Sequence, residues 1–224
     1  SDAYLVIEDG CFVDYGEMND CPPISDNEEV VDANGGAVLP SWCDSHTHIV
    51  YAGSREQEFV DKIRGLSYAE IAKRGGGILN SADRLHELSE DELYQQAMKR
   101  VDEIIRKGTG CVEIKSGYGL NTEDELKMLC VIRRIKETTR LKVVATFLGA
   151  HAVSREYKGR QDAYVDLIIN EMIPAVGNEN LAEFIDVFCD TGFFTPEETA
   201  RILKAGATYD MRPKIHADEL ASSG

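Results

Sequence analysis

The chain has 224 residues, of which 43% are hydrophobic, so it can form one or two folded domains and is neither disordered nor fibrous. Its 24 Lys and Arg residues against 40 Asp and Glu residues give a net charge of −16, which would repel nucleic-acid phosphates. No apolar run approaches the roughly 20 residues that cross a bilayer, so the composition predicts neither a nucleic-acid nor a membrane partner.

The six cysteines are scattered, without Cys-x-x-Cys spacing, and the chain opens without a signal-peptide pattern. This usage is typical of reduced thiols, so we expect a cytoplasmic protein.

The N-terminal segment has the composition of β-strands. The runs YLVIEDG and CFVDYGE are rich in β-branched and aromatic residues, and Asp9-Gly10 between them predicts a hairpin. A polar loop follows, and the pattern changes near Ala37. We therefore expect one small domain over residues 1–36 and a second over residues 37–224.

From Ala37 onward, short apolar strands alternate with helical stretches, which is typical of parallel βα units. The predicted strands are AVLPSWCDSHTH, CVEIKSGYG, KVVATFLGAH, EFIDVFCD and PKIHADE. Helical patterns cover residues 67–74, 89–107 and 160–176. Further helices begin at Thr122 and Thr195, and capping motifs mark the starts at Ser89, Thr122 and Thr195.

Two architectures accept this series, an open doubly wound sheet or a (β/α)₈ barrel with about five of its units present. Every predicted strand is apolar at its start and polar at its C-terminal end. The polar residues are His46 and His48, then Lys115 with Tyr118, then His151, then Asp190, and finally His216 with Asp218 and Glu219. The C-terminal ends of all five strands converge only in a barrel, and no glycine-rich dinucleotide motif is present, so the pattern favours the barrel. An alternative role for Lys115 and Asp190 is a charge pair inside the barrel.

The motif DSHTH places His46 and His48 on one side of a strand, because side chains at i and i+2 point the same way. By itself, a His-x-His pair is more often an accidental surface pair. His216, at the end of the fifth strand, makes three imidazoles, which suit a divalent ion such as Zn²⁺ or Fe²⁺ with an open position for water. The alternative for His216 is a hydrogen-bonded core residue.

Other polar residues near these strand ends suit a small polar substrate. Glu219 is a candidate proton shuttle, and Tyr118 and His151 are candidate hydrogen-bonding partners of a polar ring. Arg55 suits a substrate carboxylate, although a surface ion pair with a neighbouring glutamate is as good an explanation.

Eight segments spread along the chain resemble segments of a known protein family. They are LPSWCDSHTHIVYAGSREQEF, GGGIL, EIKSGYGL, TFLGAHAV, EYKGR, YVDLIINEMIPAV, DVFCD and KIHADEL. Together they resemble the imidazolonepropionases of the amidohydrolase superfamily. HTH alone indicates the superfamily, whereas AGSRE, SGYGL and GAHAV are specific to this family; Ser154 stands where the family has proline.

The resemblance implies an incomplete amidohydrolase barrel of about five βα units, with residues 1–36 forming part of a small β-sandwich. It implies a cytosolic enzyme of histidine degradation that hydrolyses the cyclic amide of 4-imidazolone-5-propanoate to N-formimidoyl-L-glutamate, with one Zn or Fe ion, and a homodimer at full length. Carried over by motif, the metal ligands would be His46, His48 and His216, the substrate-binding residues Arg55, Tyr68, Tyr118 and His151, and the catalytic residue Glu219.

In this family the later barrel strands supply a further catalytic histidine and a metal-binding aspartate. We therefore expect the 224-residue chain by itself to be a fragment that binds metal weakly and turns over little substrate. The alternatives are another cyclic amidase or deaminase of the same superfamily, and a catalytically inactive binding module.

Overall fold

The structure is a computed structural model that describes residues 2–54, 56–66, 70 and 77–222. The chain separates into two compact units, Ser1–Pro40 and Ser41–Gly224. Arg55, Tyr68 and nearly all of the predicted helix at 67–74 lie outside the described residues.

The first unit contains an antiparallel hairpin of β1 (Ala3–Glu8) and β2 (Cys11–Glu17). The predicted turn is confirmed, because Asp9 and Gly10 have φ values of 50° and 76°, as a two-residue type I′ turn requires. Large apolar side chains such as Phe12 remain exposed on the hairpin.

The second unit is built on a parallel sheet whose neighbouring strands are also consecutive in the chain. Its strands are β3 (Trp42–Thr47), β4 (Thr109–Lys115), β5 (Lys142–Ala150), β6 (Phe184–Val187) and β7 (Arg212–Pro213). The predicted α/β class with a parallel sheet is confirmed. Across the described strands the order never reverses, whereas a doubly wound sheet reverses at its switch point.

The predicted fifth strand, PKIHADE, is wrong in extent. Only Arg212–Pro213 pair as a strand, and an isolated bridge between Phe188 and His216 continues the pairing. In the described sheet this strand is paired on one side only, so few ladder hydrogen bonds hold it.

Helices connect the strands. Between β3 and β4 lie α1 (Glu56–Ile63), α2 (Ile78–His86) and α3 (Glu90–Arg106), and α4 (Thr122–Thr138) joins β4 to β5. Between β5 and β6 run α5 (Gln161–Leu167), a π-helical turn (Ile168–Met172) and α6 (Ile173–Asn178), and α7 (Pro196–Ala207) joins β6 to β7. None of the described helices combines the length and hydrophobicity that a bilayer crossing requires.

Two of the three predicted helix starts are confirmed. Ser89 caps α3 and Thr195 caps α7, each with both bonds of a capping box. The assignment for α4 is wrong, because Asn121 rather than Thr122 is the N-cap and its side-chain oxygen accepts a backbone N–H of the first turn. Glu125 is therefore not the partner of a capping threonine.

The core of the second unit lies where the helices pack on the sheet. Ile114 of β4 and Phe147 of β5 are fully buried together with Leu129 of α4. Each such side chain contributes roughly 1.5–3 kcal/mol through burial. Tyr164 of α5 is also fully buried, and its hydroxyl donates to the carbonyl of Gly149 at 2.9 Å. This packing fixes the C-terminal ends of β4 and β5.

We expect Ser89→Ala to lower the free energy of unfolding by about 1 kcal/mol, because the serine hydroxyl accepts the first-turn N–H of Glu92. Ser154→Ala is a matched control, since Ser154 precedes a 3₁₀ turn and makes no side-chain capping bond. Urea denaturation followed by circular dichroism measures both changes. Equal losses in the two variants would contradict the capping role.

Candidate functional site

Aromatic side chains from the ends of neighbouring strands meet in one place. His48 directly follows β3, Tyr118 comes shortly after β4, and His151 directly follows β5. The ring of His48 stacks on that of His151, with centroids 5.2 Å apart and planes inclined by 12°. Tyr118 lies 5.2 Å from His48 and 5.3 Å from His151. The structure therefore brings these three predicted site residues together.

His46 and His216 also face each other at this end of the sheet. Their Nε2 atoms are 3.0 Å apart, and the two ring planes are nearly perpendicular. Two nitrogens bound to one tetrahedral zinc ion at about 2.0–2.1 Å would be roughly 3.3 Å apart, so this separation is close to that of a shared ligand pair. His48 is farther away, with its ring centroid 6.2 Å from that of His46. Within the described residues, no group of three or more His, Cys, Asp or Glu side chains is assembled to hold a metal ion.

The chemistry of these imidazoles nevertheless fits a borderline divalent ion. Nδ1 of His48 is buried and has no hydrogen-bond partner among the described residues. Burial, reinforced by His151, lowers the pKa of His48 to about 3, and burial together with Lys115 and His216 lowers the pKa of His46. His46 and His48 are therefore neutral at pH 7, the state in which imidazole binds a metal ion.

A buried network of charges that sequence reasoning missed lies beneath this cluster. Nζ of Lys115 is 3.0 Å from Glu113 and 2.8 Å from Asp186, and Lys214 contacts Glu113 at 2.5 Å. Lys115, Glu113 and Asp186 are all at most 3% exposed. The available signal was the alternation of Glu113 and Lys115 in an otherwise apolar strand, which puts both on one face. The alternative of a Lys115–Asp190 pair is wrong, because Asp186 takes that place.

Asp186 connects the network to His216. Its Oδ2 atom lies 3.0 Å from Nδ1 of His216, a close polar contact that is not a well-aligned hydrogen bond. Burial alone would raise the pKa of Asp186, but contacts with His216 and Lys115 outweigh burial and hold that pKa below its ordinary value. A carboxylate at Nδ1 helps to orient the ring, and Nε2 of His216 is the nitrogen that faces His46.

Asp190 anchors the segment that carries Glu219. Its side chain is 4% exposed, and its Oδ2 accepts the backbone N–H of Glu219 at 2.9 Å and that of Leu220 at 2.8 Å. Glu219 in turn lines a cavity of about 430 Å³ that His46 and His216 also line. Asp190, at the end of the fourth predicted strand, therefore positions the main chain of Glu219 and Leu220.

Arg100 of α3 holds the loop that follows His48. Its guanidinium donates to the carbonyls of Ile49, Tyr51 and Gly53, each at 3.0 Å, and lies 3.5 Å from the centre of the Tyr51 ring. Arg55 and Tyr68, the other two predicted substrate-binding residues, lie outside the described residues.

Sequence comparison relates the chain to named enzymes. It is 54% identical over 222 residues to an imidazolonepropionase of Christiangramia forsetii and 53% identical over 223 residues to one of Flavobacterium psychrophilum. The imidazolonepropionase of Thermoanaerobacter pseudethanolicus is 44% identical over 223 residues. These matches cover 99–100% of the chain but 53–54% of each relative, so the chain spans about half the length of the curated relatives it matches. No protein-family model matches.

Structure comparison relates the fold to solved enzymes. A 5-methylcytosine deaminase from Klebsiella pneumoniae, liganded with 5-fluorocytosine, aligns with a TM-score of 0.65 and 14% identity. The alignment covers 96% of this chain and 48% of the deaminase, and the same enzyme liganded with phosphonocytosine aligns equally well. At this identity the likeness concerns the fold alone.

Proposed function

Because the chain is homologous to the imidazolonepropionases over about half their length, we propose that the protein to which it belongs hydrolyses the cyclic amide of 4-imidazolone-5-propanoate to N-formimidoyl-L-glutamate. The observation that carries the proposal is the meeting of the predicted site side chains at one end of the parallel sheet, with Nε2 of His46 3.0 Å from Nε2 of His216. The protein is then a cytosolic enzyme of histidine degradation and a homodimer.

The proposed architecture is a (β/α)₈ barrel of the amidohydrolase kind, of which residues 37–224 form about five units. The strand order β3 to β7 without reversal supports it, as does the alignment with about half of a deaminase chain. Residues 1–36 would form part of a small β-sandwich, and the exposed apolar side chains of the hairpin suit a partner sheet.

His46, His48 and His216 would hold one Zn or Fe ion. When bound, such an ion polarises a carbonyl and lowers the pKa of water toward neutrality. Asp186 supports this role by its contact with Nδ1 of His216, which leaves Nε2 directed at His46. Nδ1 of His48, which has no hydrogen-bond partner in the described part of the chain, is a buried nitrogen that a metal ion could bind.

The remaining predicted residues would bind and protonate the substrate. Tyr118 and His151 lie against His48, within reach of a small polar ring. Arg55 and Tyr68 would hold the propanoate. Glu219, which lines the same cavity as His46, would carry the proton that the leaving ring nitrogen needs.

Assays of the purified whole protein test the proposal. We expect hydrolysis of 4-imidazolone-5-propanoate and no activity on guanine or hydantoin, whereas the 224-residue chain alone should show little turnover. Preference for guanine or hydantoin would indicate a different enzyme of the same superfamily. Absence of activity on all three, in a folded and metal-loaded protein, would indicate a binding module.

In the whole protein, we expect His46→Ala to abolish stoichiometric zinc binding, because it removes one of the two nitrogens that already face each other. His86→Ala is the matched control, since His86 lies at the end of α2 and contacts the Gly119 carbonyl instead. Competition with a chromophoric chelator measures the affinity of the purified variants. Equal zinc affinity in wild type and His46→Ala would contradict the proposed ligand set.

A further inference from the structure

The side chain of Glu125 folds back onto the turn that carries Tyr118. Its Oε1 atom accepts the backbone N–H groups of Gly119 at 2.8 Å and Leu120 at 3.1 Å, and its Oε2 atom accepts that of Gly117 at 3.1 Å. Glu125 itself is 0% exposed. One carboxyl group therefore accepts hydrogen bonds from three main-chain donors within four consecutive residues, an arrangement that favours the carboxylate.

The turn has an unusual backbone conformation. Gly117 has a φ of 111°, and Leu120 has a φ of 55°, which is unfavourable for a residue with a side chain. A Cβ atom on Gly119 would lie 2.3 Å from the backbone nitrogen of Glu125, so the turn also packs directly on the start of α4. The carboxylate offsets this backbone strain with three charge-assisted hydrogen bonds.

The same turn reaches His151. The carbonyl of Gly117 lies 2.9 Å from Nδ1 of His151, so a neutral His151 donates its Nδ1 proton there and keeps Nε2 as its acceptor. The ring of Tyr118, between Gly117 and Gly119, lies 5.3 Å from that of His151. Ser116 hydrogen-bonds Glu125 and accepts the N–H of Leu148 in β5, which ties the carboxylate to the strand that precedes His151.

We propose that Glu125 is a positioning residue: its carboxylate fixes the turn from Gly117 to Leu120, and this turn sets the ring of Tyr118 and the Nδ1–H form of His151. Glu125 is proposed to act only through the main chain of the turn and not by contact with the ring of Tyr118 or of His151. That Tyr118 and His151 contact substrate rests on the proposed function, whereas their placement by Glu125 does not. Burial raises the pKa of Glu125, whereas the hydrogen bonds from Ser116 and from the turn favour the carboxylate and oppose that rise.

The test uses Glu125→Gln, which keeps the shape but turns an amide NH₂ toward donors that need an acceptor. Glu123→Gln is the matched control, because Glu123 lies exposed in the same helix turn. Nitrogen-15 spectra of ring-labelled histidine, assigned with His151→Asn, report which ring nitrogen carries the proton. We expect the His151 signals to move away from the Nδ1–H pattern in Glu125→Gln and to stay unchanged in Glu123→Gln.

A folded Glu125→Gln variant whose His151 signals match the wild type would overturn the proposal. If that variant does not fold, Gly119→Ala tests the same link, because it keeps the carboxylate and displaces the turn from α4. Unchanged His151 signals in Gly119→Ala would equally overturn it. In the whole protein, Glu125→Gln should raise KM about tenfold with a smaller effect on kcat. Altered His151 signals with unchanged KM would count against the substrate roles of Tyr118 and His151, and so against the proposed function rather than the positioning link.

Discussion

Lys115→Met is expected to lower the free energy of unfolding by about 3–5 kcal/mol, because it leaves buried carboxylates without their central cation. Lys115 is 2% exposed and contacts Glu113 at 3.0 Å and Asp186 at 2.8 Å. Methionine fills a similar volume, so the loss reports charge rather than a cavity. Lys107→Met is the matched control, since Lys107 is 69% exposed and its ion pair with Glu103, in the same helix, is exposed as well. Urea denaturation measures both.

The loss of stability in Lys115→Met should depend on pH in a definite direction. Burial would raise the pKa of Glu113, but hydrogen bonds from Lys214, Thr146 and Lys115 outweigh burial and hold its pKa below the ordinary value. Its stabilisation is therefore complete above the unfolded-state pKa of about 4.3 and fades as pH falls through the lower folded-state value. The difference between wild type and Lys115→Met should shrink below about pH 4. A difference that grows on acidification would contradict the network's role.

Glu219→Gln in the whole protein is expected to lower kcat by about 10²–10⁴, because an amide of the same shape cannot carry the proton that the leaving ring nitrogen requires. Glu219 lines the cavity that also contains His46 and His216. We expect KM to change little, since the side chain keeps its size and its place. Steady-state kinetics with 4-imidazolone-5-propanoate measure both constants.

Two further variants control this result. Glu197→Gln, in the exposed first turn of α7, should leave kcat unchanged. Asp190→Asn should lower kcat by about tenfold, because the Asp190 carboxylate accepts the backbone N–H of Glu219 and so holds its main chain in place. If kcat falls less in Glu219→Gln than in Asp190→Asn, another group is the proton carrier.

Patterns that depend on near neighbours in the chain were predictable from the sequence. The Asp9-Gly10 turn and the helix N-caps at Ser89 and Thr195 follow from local backbone chemistry, and the structure has them as predicted. The alternation of apolar strands with helices fixed the α/β class for the same reason, because hydrophobic period is a local property. Residue types suited to metal and substrate binding were likewise visible in DSHTH and SGYGL.

Contacts between distant residues were decided only by the tertiary structure. The sequence does not decide whether Asn121 or Thr122 caps α4, because Asn121 with Asp124 and Thr122 with Glu125 have the same spacing. In the structure Asn121 is the cap, and Glu125 turns back onto the Gly117–Leu120 turn. The exchange of Asp190 for Asp186 as the partner of Lys115 has the same cause: which carboxylate meets a buried lysine depends on strand register. Turns and helix caps are determined by neighbouring residues in the sequence, whereas the partners of buried charged side chains depend on how the strands align in the sheet.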